Sequence, residues 1–427
     1  MDRLTIPPYK NTTDLAIKLM AVQKQKLANN IWLYSLNAGA QNVVQLEFIF
    51  TAGNSYEPKN MVASAAVSLF TSGTSTHTAF AISEIFEQHG AFLSATCYNE
   101  TIVINLSCLS KHVEALLPTL VMLFTNATYP QTELDLYLKK SKQQLDVSLQ
   151  KATFVANRLI DTALHGAHHP YAKLSEHKYL DALTQQDVQN HYNEYIKNGR
   201  CTIMVSGKTT DALIQKIAST FETMPWRGIL KFHLLPNPFP KPEAIQKRSI
   251  INDATSVQGS IRIAQPLPNK LHPHFRKLQF LNTVFGGYFG SRLMSNIRED
   301  KGYTYGIHSY LENHLQVSAF MITTDAGKDV SQATIKEVYS EMELLRNEKI
   351  DDEEMQLVRN YLMGSILGNL DGPFQIMGRW KILMLNGLDE NYFYEHIEII
   401  KTITATELQE LANEYLQPEL FHELVVY

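Results

Sequence analysis

The sequence predicts an α+β fold of two homologous domains, each a mainly antiparallel sheet with helices packed on one face. Three observations lead there. A segment recurs at a constant offset of about 220 residues, strands precede long helices in both halves, and a proline-rich stretch lies between them. The predicted boundaries are 1–224 for the first domain, 225–244 for a linker and 245–427 for the second.

In the first half, Val43–Phe50 alternates as a strand, a turn follows, and the apolar positions of Ala63–Phe70 mark a helix. Ile102–Cys108 reads as a later strand, and Gln131–Gly166 as one long helix. Thr184 opens a helix with Asp187 in its first turn, and the apolar run Thr202–Val205 follows as a strand. The same signature returns at Thr404, with Glu407 in the first turn and the strand Glu423–Val426 behind it. Between the halves, five prolines in the eighteen residues Pro225–Pro242 forbid a continuous helix or central strand, which predicts a stiff tether. The second half offers the strand Ser260–Ala264, the helix Phe275–Phe285, the strands Tyr305–Tyr310 and Val317–Thr323, and the helices Val330–Leu345 and Asp351–Asn369. The stretch Phe285–Gly290 is glycine-rich, but its spacing is that of neither a P-loop nor a dinucleotide fingerprint; a turn where backbones approach closely is expected instead.

Composition narrows the function. Apolar residues make up 44% and charged residues 19% of 427 residues, which is globular. A net charge of -5 leaves no basic excess to drive phosphate binding, so nucleic acid is not an expected partner. Cys97, Cys108 and Cys201 include no CxxC pair, so neither a disulfide framework nor a cysteine zinc site is expected. No membrane span and no signal peptide are legible, and the expected location is the cytoplasm; a periplasmic one would require a leader.

Ala63–Thr74, then Glu87-Gln88-His89-Gly90, then Ser94-Ala95-Thr96 with Thr101, resemble the frame of the insulinase/pitrilysin family of zinc peptidases, in its mitochondrial-processing-peptidase-like bacterial branch. That family has A-H-x-x-E-H-x-x-x-x-G-T at the first of these stretches. The resemblance implies two domains of LuxS/MPP-like metallohydrolase fold closing as a clam-shell on a peptide. It also implies two histidines one helical turn apart to bind zinc, and a glutamate between them as base. Here those positions hold Ser64, Val67 and Ser68, and the third ligand, a glutamate in the family, falls at Leu145; residues 134–175 contain no glutamate. No zinc is therefore expected on this chain. Ser94 stands where active members carry an asparagine. His165, His168 and His169 form the densest imidazole cluster, but they match a structural H-P-Y stretch of the family, and His89 reads as a surface imidazole.

The second half keeps more of the pattern. Gly287–Gly306 is similar to the family run G-x-x-S-R-L-F-x-x-I-R-E-x-x-G-x-x-Y. The resemblance implies that Arg298 and Tyr305 act on a substrate carbonyl at a zinc centre; guanidinium and phenol need no metal of their own to stabilise an oxyanion. The alternative for Arg298 is a surface pairing with Glu299 or Asp300. Arg292 reads as a structural or interface arginine, and Tyr303, Tyr305 and Ile307 are expected on one sheet face.

The function implied is a non-catalytic subunit of a heterodimeric zinc peptidase, with an HxxEH-bearing subunit as partner, zinc in that partner, and a peptide as substrate. Alone, the chain would form a homodimer. Two other readings stand beside it: a non-enzymatic scaffold of the same fold, and an autonomous hydrolase using Ser64, Ser68 or His89.

Overall fold

The computed structural model describes residues 15–229 and 244–427. Among the described residues the chain forms two compact units, 21–229 with Gly372–Leu385, and 15–20 with Ala244–Asp371 and Asn386–Tyr427. Residues 230–243, most of the expected tether, lie outside the described residues.

The amino-terminal unit is built on six strands: β1 (Gln23–Lys26), β2 (Trp32–Asn37), β3 (Val43–Thr51), β4 (Phe92–Cys97), β5 (Thr101–Leu109) and β6 (Cys201–Gly207). Their order is β1-β2-β6-β3-β5-β4, antiparallel except for the β2–β6 pair. Strand alternation sends Phe48 and Phe50 to the face covered by the helices Val113–Asn126 and Asp211–Phe221, where they meet Phe124, Phe221 and Trp226. Trp226 belongs to this core and not to the expected linker: it is 2% exposed, lies 5.7 Å from Phe221 in a stacked pair, and donates its indole N–H to the Ile196 carbonyl at 2.9 Å.

Two further expectations are corrected. The long helix is two helices, Gln131–Leu149 and Ala152–His165, separated where Lys151 turns extended. No glycine or proline announces this break. The second concerns the helix Pro373–Leu385, which is part of the amino-terminal unit although it lies far along the sequence. Lys381 reaches Glu47 at 2.6 Å, and Glu47 points to the face of β3 opposite Phe48, so this helix covers the other side of the sheet.

The carboxy-terminal unit has β7 (Lys247–Ile250), β8 (Gln258–Leu267), β9 (Thr304–Asn313), β10 (Ser318–Gly327) and β11 (His422–Val426). Their order is β7-β11-β8-β10-β9, with β7–β11 the parallel pair. The two sheets thus share one topology: β7, β11, β8, β10 and β9 stand as β2, β6, β3, β5 and β4 do. The helices before β6 and before β11 share a device as well. Thr184 with Asp187 and Thr404 with Glu407 both close full capping boxes. Gly286 performs the close approach expected of the glycine-rich stretch, because a Cβ there would meet the Ser309 backbone nitrogen at 2.9 Å.

Candidate functional site

The positions that resemble a zinc motif sit on the helix Val62–Ser68 in the amino-terminal unit. Val67 is 7% exposed and Leu145 is 5% exposed, and both are packed into the hydrophobic core. Ser64 is half-buried near the Cys97 thiol, which donates to the Asn54 side-chain oxygen at 3.3 Å. Burial pushes that thiol up to about 12, so Cys97 is an unreactive packing group. Ser68 is exposed and lies near the Tyr137 phenol. Two hydroxyls and two aliphatic side chains do not fit zinc, which takes imidazole, thiolate or carboxylate. Among the described residues no three His, Cys, Asp or Glu side chains come together as a metal site.

Sequence reasoning missed what holds this region. Glu57 accepts from the Ala63 N–H at 3.0 Å, in the first turn of the helix, and pairs with Lys173 at 3.4 Å. Lys173 also donates to the Asn54 carbonyl at 2.6 Å. Burial raises the Glu57 carboxyl, and the Ala63 N–H and Lys173 oppose it. The one available signal was Glu57-Pro58 shortly before the helix start.

The imidazoles are structural where expected. His165 and His169 are buried and stacked 5.2 Å apart, His169 accepts from the Tyr171 N–H at 3.1 Å, and Tyr171 bonds Glu100. His168 is exposed. His89 caps its helix, with Nδ1 2.8 Å from the Ile85 carbonyl and its ring against His112. Ser94 lies on β4, an edge strand, opposite Asn105.

In the carboxy-terminal unit the chain runs from Ser291 into a π-helical turn, Met294–Asp300, that carries Arg298. The Arg298 Nε donates to the Tyr305 backbone carbonyl at 3.0 Å. Its guanidinium lies 4.9 Å over the exposed Phe289 ring, a contact sequence reasoning did not find, and 3.6 Å from Glu299. Asp300 is not among its partners in these contacts. Tyr305 is 95% exposed. The expected common face of Tyr303, Tyr305 and Ile307 is therefore wrong: Ile307 is fully buried and Tyr303 precedes the strand. The cause is a β-bulge. Ile307 pairs with Thr324 and Thr304 with Ala326, so Tyr305 and Gly306 together oppose Asp325 alone. Arg292 is structural as read, held in a two-point pair with Glu354 at 3.0 and 2.7 Å.

Two family models match: Insulinase (Peptidase family M16) over residues 34–174 and Peptidase M16 inactive domain over residues 182–362. A curated relative, the uncharacterized zinc protease YmxG of Bacillus subtilis (strain 168), is 24% identical over 83% of this chain and 84% of its own length. Among solved structures, the fold is similar to a peptidase M16 inactive domain from Pseudomonas fluorescens, with 22% identity, TM-score 0.84, and 95% and 98% of the two chains covered. It is also similar to a chain of complex III2 from Candida albicans, with 13% identity, TM-score 0.74, and 95% and 96% covered. The fold and site are those of a two-domain α+β peptidase-like protein. The chain belongs to the insulinase (M16) family and lacks that family's catalytic zinc motif.

Proposed function

We propose that this chain is the non-catalytic subunit of a heterodimeric zinc peptidase. It completes a peptide-binding chamber, holds no metal itself, and supplies Arg298 and Tyr305 to a partner subunit that carries HxxEH and zinc. The observation that carries the reading is the contrast between the two units. At the motif positions every side chain is one that zinc does not use, whereas Tyr305 stands 95% exposed with the Arg298 guanidinium bonded to its backbone carbonyl. A phenol O–H and an arginine N–H are the donors an oxyanion needs, and they act without a local metal.

The shared strand order of the two sheets supports an internal duplication, in which one copy has lost its ligands and the other presents the donor pair. The three unpaired cysteines support a reducing, cytoplasmic location. The test is peptide hydrolysis by an HxxEH-bearing subunit with and without this chain. The reading fails if activity is unchanged by addition of the chain, or by Arg298→Ala and Tyr305→Phe.

The likeness to a chain of complex III2 favours a second reading, a scaffold without enzymatic role. Under it the chain associates tightly with a partner that is not a peptidase, and neither substitution affects that association.

A further inference from the structure

We infer that Thr304 and Thr324 are positioning residues, whose hydroxyls lock the bulge that turns the Tyr305 side chain out of the sheet. From Ile307 to Tyr310, odd positions of β9 are buried and even positions are exposed. Regular alternation carried back two residues would put Tyr305 on the buried side with Ile307 and Ser309. The extra residue at Tyr305–Gly306 reverses this.

An extra residue in a strand leaves backbone groups outside the ladder, and here side chains take them up. The Gly306 N–H donates to Thr304 Oγ1 at 3.1 Å. The Gly306 carbonyl lies 2.9 Å from Thr324 Oγ1. The two hydroxyls are 2.8 Å apart, and Thr304 Oγ1 lies 2.7 Å from the Asp325 carbonyl, directly across the bulge. Arg298 takes the remaining carbonyl, that of Tyr305. The two hydroxyl protons serve the two carbonyls: Thr304 donates to Asp325 and accepts from the Gly306 N–H, and Thr324 donates to the Gly306 carbonyl, which leaves the hydroxyl–hydroxyl contact as a close approach without a proton of its own. Thr324 is 5% exposed; without its hydroxyl the Gly306 carbonyl is left to Thr304 Oγ1 at 3.0 Å, whose single proton the Asp325 carbonyl at 2.7 Å also needs, so one of the two carbonyls goes unpaired where water does not readily reach. The bulge then loses ground to the regular register, in which Tyr305 turns inward.

What Tyr305 does once presented rests on the proposed function above; how it is presented does not, and the experiment separates the two. The full-length chain alone is nitrated with tetranitromethane, and modification is mapped by mass spectrometry, with Tyr98, 54% exposed, as internal reference. In the unmodified sequence Tyr305 reacts faster than Tyr98. Thr324→Val reverses that order with the melting temperature largely retained, and Thr324→Ser restores it. Thr304→Val gives a second, independent loss. Labelling of Tyr305 at its original rate in both valine variants would overturn the inference. With the HxxEH-bearing subunit added, Thr324→Val lowers kcat and leaves KM in place. Lost labelling with unchanged hydrolysis would uphold the bulge and overturn the role proposed for Tyr305.

Discussion

Arg298 is bonded to the backbone of Tyr305 and not to its ring: Nε meets the carbonyl at 3.0 Å while the phenol projects into solvent. The two donors are thus one mechanical unit, and truncating the arginine also loosens the tyrosine. Under the proposed function, Arg298→Ala is expected to lower kcat/KM of the complex with an HxxEH-bearing subunit roughly 10²–10³-fold, the usual effect of losing an oxyanion donor. Because the residues are coupled, the double variant with Tyr305→Phe should be little worse than Arg298→Ala alone. Strict additivity in a double-mutant cycle would contradict this. Lysine has no Nε–H in that place, so Arg298→Lys should behave like the alanine variant.

Metal dependence follows from the side chains at the motif positions. Purified and dialysed, the chain should hold far less than one zinc per molecule by plasma mass spectrometry, and EDTA should leave its melting temperature where it was. A stoichiometric zinc ion, or a chelator-induced drop in stability, would contradict the loss of the site at Ser64, Val67, Ser68 and Leu145.

Local chemistry and patterning were legible in the sequence; long-range partnership was not. The loss of zinc ligands needed only the identity of four side chains. The capping boxes at Thr184 and Thr404 needed only an acid three residues on, and the strand Val43–Phe50 only its apolar pattern. The bulge at Tyr305 breaks no local rule, since it is held by Thr324 on the neighbouring strand and by Arg298 on the preceding turn. Glu57 and Lys173 are 116 residues apart, so nothing near either announces the pair that braces the helix carrying Ser64. Trp226 reads as part of a proline-rich tether because its core partners, Phe221 apart, lie far from it in sequence.

Stability should fall on acidification because of His191. Its ring is 2% exposed, lies 4.7 Å from the Tyr195 ring, and neither nitrogen has a hydrogen-bond partner. Burial, with Lys173 adding to it, lowers its pKa from 6.5 to about 4. Above 6.5 the imidazole is neutral in both folded and unfolded chains and contributes no pH dependence. Between 6.5 and about 4 the unfolded chain binds the proton and the folded chain does not, so folding weakens by up to about 1.4 kcal/mol per pH unit. Calorimetric melting temperatures across this window should decline less steeply for His191→Phe. An unchanged slope would show that His191 does not titrate in this way.

The pair formed by Lys381 and Glu47 tests whether the helix Pro373–Leu385 is integral to the amino-terminal unit. Glu47 is 8% exposed and its carboxylate meets Lys381 at 2.6 Å, while Lys24 lies 5.0 Å over the ring of Trp380 on the same helix. Removing one partner of such a pair leaves the other charge poorly solvated. Lys381→Ala should therefore destabilise the unit by about 1–3 kcal/mol, more than the loss of an exposed ion pair would. Replacing both partners with apolar residues of similar size, Glu47→Leu with Lys381→Met, should recover most of that loss, because no charge is then left buried. Hydrogen exchange gives the sharper readout. In Lys381→Ala the amides of β2 and β6, against which this helix packs, should exchange faster, while those of β8 and β10 in the other unit keep their protection. Equal acceleration in both units would mean that the helix stabilises the chain as a whole, and no acceleration would mean that it rests on the sheet without supporting it.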